Sequence, residues 1–184
     1  MKRILPASMA LIAVAALSLG SARSADMENT LYLELKTGRV IIELRPDIAP
    51  KHVARIKELV RQKFYDGLAF HRVIDGFMVQ GGDPRGDGTG GTGKLLPAEF
   101  SSEKHVRGVT SMARRQDPNS ADSQFFIMLG VAPYLDNKYT IWGKVVSGME
   151  HVDGIKKGDR RRNGSVQNPD KIVRMRVAAD VDKK

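Results

Sequence analysis

The amino-acid sequence predicts a mainly-β protein, a closed eight-stranded antiparallel β-barrel capped by two α-helices. Three observations lead there. Eight short apolar or alternating runs are separated by Gly-, Pro- and Asn-containing turns, the punctuation expected between strands. Only two segments carry helical spacing. The connections are too short for a helical crossover between each pair of strands, so antiparallel neighbours are favoured. A sheet of that many strands removes its exposed edges by closing on itself.

The elements follow in order. "LYLELKTGRVIIELR" (31–45) alternates, pauses at Thr37-Gly38 and alternates again, the signature of a hairpin. "PDIAPKHVARIKELVRQ" (46–62) changes to helical spacing, with Pro50 suited to the first helical position and Val53, Ile56, Leu59 and Val60 forming one apolar stripe. "AFHRVI" and "FMVQGG" read as strands joined by the turn Asp75-Gly76, and a glycine-rich loop runs from Gly81 to Gly93. "GVTSMAR" (108–114), "SQFFIML" (123–129) and "YTIWGKVV" (139–146) are further strands. Ser147 and Glu150, three apart, have the spacing of a capping box for a short second helix, and "KIVRMRVA" (171–178) closes the chain as a strand.

Residues 1–25 stand apart from this pattern. Lys2 and Arg3 open the chain, an apolar run follows from Met9 to Leu19, and small residues come next in "GSARSA". That is the layout of a secretory signal peptide, with cleavage after Ala22, Ser24 or Ala25. The apolar run is shorter than the roughly 20 residues of a membrane span, so no stable membrane insertion is expected after processing. Export is the expectation, with a periplasm as destination, and residues 26–184 form the single domain.

The 184 residues contain no cysteine, which excludes disulfides, thiolate catalysis and cysteine-ligated metals. Removing residues 1–25 deletes Lys2, Arg3 and Arg23 and no acid, so the formal charge falls from +9 to +6. The basic residues crowd into "KKGDRRRNG" (156–164), but without interleaved aromatics for base stacking. A solvated loop is the reading, and no nucleic acid is expected as a partner.

Several motifs carry less than they promise. "GTGGTGK" (88–94) matches the phosphate-loop spacing through Gly88, Gly93 and Lys94, but Leu95 replaces the hydroxyl residue that magnesium needs. His52, His71, His105 and His151 lack metal-ligand spacing, and His52 and His151 fall on the polar faces of the helices. Asp83, Asp87 and Asp117 sit beside Gly or Pro, ordinary turn usage. "NGS" (163–165) fits a glycosylation acceptor and equally a plain Asn-Gly turn. Neither a metal nor an organic cofactor is expected.

One constellation holds together. Strand alternation places Met78 and Gln80 on one face, and Gln124 and Phe126 on one face of their strand. Arg72 is the lone charge of "FHRVI". Three strands that set a polar group beside a large hydrophobe suggest a shallow apolar pocket edged by amide and guanidinium donors, with no nucleophile and base beside it.

The segments "FYDGLAFHRVIDGFMVQGGD", "GTGGTG", "EF", "SMAR", "PNSADSQFFIML" and "YLDNKYTIWGKV" resemble the cyclophilin family of peptidyl-prolyl cis/trans isomerases, in its bacterial exported branch, over residues 29–178. The resemblance implies an eight-stranded barrel with an active groove on its outer face, acting on proline-containing polypeptides as a monomer. It makes Arg72 the catalytic arginine. Phe77, Met78, Gln80, Ala113, Gln124, Phe126, Leu135 and Tyr139 become substrate-binding residues. Tyr134 stands where cyclosporin-sensitive relatives carry Trp, which implies weak binding of that drug. The family's backbone-binding Asn matches either Arg114 or Arg115. Beside isomerisation, two other readings stay open: a module that grips Xaa-Pro segments without turnover, and a nucleic-acid binder using 156–162.

Overall fold

The computed structural model describes residues 26–181, so the expected signal peptide lies outside the described residues. Its centre is an eight-stranded sheet, antiparallel at every pairing, in the order β3-β4-β6-β5-β7-β2-β1-β8. The strands are β1 (Thr30–Leu35), β2 (Gly38–Leu44), β3 (Arg72–Ile74), β4 (Met78–Gly81), β5 (Val109–Met112), β6 (Phe125–Met128), β7 (Ile141–Ser147) and β8 (Arg174–Val177). Helix α1 (Pro50–Arg61) joins β2 to β3, α2 (Met149–Asp153) follows β7, and a single turn, α3 (Ala178–Val181), follows β8.

Alternation explains which side faces in. Leu31, Leu33 and Leu35 of β1 and Val40, Ile42 and Leu44 of β2 are all buried, as the period of two requires. With Val53, Ile56, Leu59 and Val60 of α1, and with Phe70, Phe125 and Trp142, they form the main core inside the curl of the sheet. A second, smaller apolar cluster lies on the outer side of β4, β5 and β6, around Met78, Phe126, Met128 and Leu135. Because β4 and β6 are buried on both faces, they read as continuous apolar runs.

The barrel is not closed. β3 and β8 are the two edges of the sheet, and no ladder joins them. The seam is stitched instead by isolated bridges, Ala69 with Lys171 and Arg72 with Ser165. Single backbone bonds flank them, among them Phe70 N–H to Asp170 O at 2.9 Å, Val166 N–H to His71 O at 3.0 Å and Val73 N–H to Gly164 O at 2.8 Å. A ladder cannot run through this stretch, because Asn168 takes a left-handed φ of +50° and Pro169 has no N–H to donate. The architecture is therefore a curled half-barrel.

Two local expectations are also corrected. Ser147 is the last residue of β7 and caps nothing; Gly148 occupies the N-cap of α2 with φ +85°, and a Cβ there would collide with the Arg39 carbonyl. His52 is not on a polar face but fully buried. It turns inward because Glu99 reaches the first turn of α1, which Ala49 cannot cap. The Glu99 carboxylate accepts from Lys51 N–H at 3.1 Å and His52 N–H at 3.0 Å, and lies 2.7 Å from His52 Nδ1. A carboxylate there also meets the positive end of the helix. Glu99→Ala is expected to lower stability by about 1–2 kcal/mol, seen as a lower urea midpoint at unchanged slope. An unchanged midpoint would remove Glu99 as the cap.

Candidate active site

The β3–β4 hairpin assembles the site through its register. Arg72 pairs with Gln80, Gln80 with Phe126, and Phe126 with Ser111, so one row crosses four strands on the outer face. The parallel row brings Ile74, Met78 and Met128 together. The turn between the strands needs Gly76, whose φ is +72°. Phe77 sits in that turn, with its N–H on Ile74 O at 3.0 Å. It is thereby released from strand alternation, and its ring turns to the same side as Met78, 6.0 Å from the ring of Tyr134.

These rows underlie a cavity of about 610 Å³. Met78, Phe126 and Leu135 are buried beneath it, and Phe77, Ala113 and Tyr139 form its sides. Arg72 and Gln80 stand at its polar edge. Of the nine residues expected from the sequence, Gln124 alone does not line this groove. It lines a neighbouring cavity of about 100 Å³ and touches the site through Gln80. Phe126 meets Tyr139 edge to face at 5.8 Å, which fixes the aromatic wall.

The Arg72 guanidinium is held on two sides. Nη1 donates to Gln80 Oε1 at 3.0 Å. Nε donates to Asn163 O and Nη2 to Asn163 Oδ1, each at 3.0 Å. Asn163 can offer both oxygens because it adopts a left-handed φ of +53° after the 3-10 turn Arg160–Arg162. Burial lowers the Arg72 pKa, yet an arginine side chain stays charged in a protein. The result is a fixed cation beside an apolar floor.

A chain of bonds ties that cation to the glycine loop. Gln80 Nε2 donates to Gln124 Oε1 at 2.9 Å, and Gln124 Nε2 donates to the carbonyls of Gly88 at 3.0 Å and Gly90 at 2.8 Å. The loop is folded around Asp83, a buried carboxylate that accepts from the N–H groups of Arg85 at 2.8 Å, Asp87 at 3.1 Å and Gly88 at 2.5 Å. Burial alone would raise the Asp83 pKa; the backbone donors outweigh it and hold the carboxyl below its ordinary value. Asp83 is thus an organiser of the groove wall, not an ordinary turn residue.

Bond-making groups are not assembled at the groove. Asp136, His105 and Ser111 do follow one another at 3.1 and 3.2 Å. Ser111 is fully buried, however, and its hydroxyl donates to Thr140 O at 2.9 Å, so it presents no nucleophile. His105 instead supports the groove from below, stacked against Phe126 at 6.3 Å. His71 lines the groove, and burial keeps its pKa low. Among the described residues, no three His, Asp or Glu side chains converge as a metal site would require.

Sequence reasoning missed Asn163 and Arg162, and left Arg114 undecided. All three line the groove, while Arg115 lines only the smaller cavity. The Asn-Gly pair at 163–164 marked a turn but could not say what the turn would meet. Arg114 was one of two adjacent candidates. Its guanidinium now lies 4.5 Å over the Tyr139 ring.

Comparison with known proteins agrees with this fold. Residues 30–177 match the family model described as cyclophilin type peptidyl-prolyl cis-trans isomerase/CLD. A Brucella suis protein named "Probable peptidyl-prolyl cis-trans isomerase" is 55% identical, covering 94% of this chain and 96% of its own. The crystal structure of the cyclophilin AquaCyp293 from Hirschia baltica superposes with a TM-score of 0.75 at 30% identity, over 84% of this chain and 76% of that one. A Cryptosporidium parvum cyclophilin type peptidyl-prolyl cis-trans isomerase, crystallised in the presence of the dipeptide Ala-Pro, gives 0.73 at 29% identity, over 80% and 98%. A match running from the first strand to the last, and a relative more than half identical along nearly its whole length, make this chain a member of the cyclophilin-type peptidyl-prolyl cis-trans isomerase family.

Proposed function

We propose that this protein rotates Xaa-Pro peptide bonds in exported polypeptides and so accelerates a slow step of their folding. The observation that carries the reading is the Arg72 guanidinium, fixed by Gln80 and Asn163 at the edge of an apolar groove that holds no paired nucleophile and base. An Xaa-Pro bond rotates over a barrier of about 18–20 kcal/mol because resonance stiffens the C–N bond. Nothing is cleaved, so the catalyst has only to favour the twisted amide over both planar isomers. Twisting returns the lone pair to the proline nitrogen, where a donor such as Arg72 bonds the transition state better than either ground state.

Met78, Phe126 and Leu135 supply the floor on which a proline ring is buried, a gain of about 1.5–3 kcal/mol for a side chain of that size. Gln80 faces the same groove as a holder of substrate backbone, with Gln124 bracing it from behind. Tyr134, half open to solvent on the rim, offers less surface than an indole would, which supports weak cyclosporin binding. The reading of an exported, periplasmic protein rests on the composition of residues 1–25, and that of a monomer on the family resemblance.

Exchange NMR on a short Ala-Pro peptide tests the activity. The expected result is broadening of cis and trans proline signals at catalytic protein concentration. Binding without faster exchange would leave a proline-gripping module in its stead.

A further inference from the structure

The groove's positive charge is oriented without being neutralised. Arg39, Arg45, Arg55, Arg61, Arg107 and Arg176 each meet a carboxylate within salt-bridge distance. Among the described residues Arg72 and Arg114 do not: every oxygen that orients them is neutral. Arg114 donates from Nε at 3.0 Å and Nη2 at 2.9 Å to Lys138 O, and from Nη1 to Arg115 O at 2.9 Å and Gln116 O at 3.0 Å. Carbonyl acceptors fix the direction of a guanidinium but leave its charge uncancelled. Its remaining contact, the face of Tyr139, is likewise neutral.

The charge is also spread across the groove. Arg162, beside the Asn163 that holds β3, lies on one side, and Arg114, just past β5, lies on the other, with β4 and β6 between them. Arg162 has a carboxylate, Asp159 at 3.3 Å, yet both side chains remain about half exposed. Against three arginines the groove lining offers one acid, Asp87, whose Oδ1 is taken by the Thr89 N–H at 2.8 Å and hydroxyl at 2.7 Å. Arg115 and Lys138 adjoin Arg114, and among the described residues neither meets a carboxylate. A concave site lined by one sign of charge concentrates ligands of the other. An ion pair formed with a guanidinium already held in place spends less side-chain entropy than one between two mobile partners.

We infer that the groove selects acidic proline segments, those with an Asp or Glu flanking the Xaa-Pro bond, and that Arg114 is the residue that sets this preference, with Arg162 adding to it from the opposite side. The inference rests on the isomerase reading above and adds its substrate class.

The test compares peptides of one length that carry Glu, Ala or Lys immediately before the proline, and a second set with the change two positions before it. Exchange NMR gives kcat/KM for each, and chemical-shift titration in the same spectra gives affinity. In one of the two sets Glu is expected to exceed Lys by about tenfold at about 20 mM salt, and the gap should narrow severalfold at about 0.5 M, where exposed charges are screened. Arg114→Gln should reduce the ratio to about twofold or less, and Arg114→Lys, which keeps the charge, should retain most of it. A Glu-to-Lys ratio near one in both sets at low salt overturns the inference. So does a ratio that survives Arg114→Gln combined with Arg162→Gln. Absence of exchange with every peptide would defeat the isomerase reading instead, and the titrations would still decide the acidic preference.

Discussion

Replacing Arg72 by alanine is expected to lower kcat/KM on an Xaa-Pro peptide by about 10²-fold while the protein stays folded. A hydrogen bond from a charged donor is worth about 1.5–3 kcal/mol, and each 1.36 kcal/mol of lost transition-state binding is tenfold in rate. Arg72 sits on an edge strand of three residues and is part-exposed, so its loss opens no core cavity and leaves only half-solvated acceptors on Gln80 and Asn163. Lysine is not a substitute. It carries the charge but cannot bridge Gln80 and Asn163 with one planar fork, so Arg72→Lys should recover only a small part of the activity. Activity of the alanine variant within about threefold of wild type would remove Arg72 from the catalytic role.

Asp83→Ala is expected to act first on stability, with a loss of about 2–4 kcal/mol, and through it on activity. The carboxylate is almost completely buried and satisfies three backbone N–H groups; alanine leaves those donors without a partner inside the protein. The loop then loses the geometry that holds Gln124, and with it the brace behind Gln80 and Arg72. kcat/KM should fall by about tenfold even at a temperature where the variant is folded, although Asp83 lines neither cavity. Because the folded carboxyl is held below its ordinary value, its contribution is present at neutral pH and fades as pH falls through that lowered value. A urea midpoint equal to wild type would defeat this account.

These two residues differ in how visible they were beforehand. Arg72 stood out in the sequence as the one charge in an apolar run, and the family resemblance supplied the role expected of it. Asp83 stood between Gly82 and Pro84, where an aspartate is ordinary, and its importance comes from three N–H groups that only the folded loop turns toward it. The strands were legible for the same reason as Arg72: β1 and β2 alternate, and period-two patterns survive whatever the rest of the chain does. Closure of the barrel was not legible, because it depends on whether 164–172 can make a continuous ladder with 67–73. Asn168 and Pro169 decide that by one φ angle and one missing donor. The inward turn of His52 depended on Glu99, which approaches from 47 positions along the chain. Phe77 was recovered through family resemblance where strand alternation alone would have turned it away.

The stitched seam has a consequence for how such a site diversifies. One wall of the groove, built on β4 and β6, is a continuous ladder in which an inserted residue would reverse every following side chain. The other wall, with Arg162 and Asn163, hangs on the sheet by separate hydrogen bonds, and the stretch that carries it ends before β8 begins. Outside Asn163, Gly164 and Ser165, which bond β3, residues of that stretch can be recharged without shifting any strand. The wall on β4 and β6 is therefore intolerant of insertion, while the opposite rim can change in charge without disturbing the sheet.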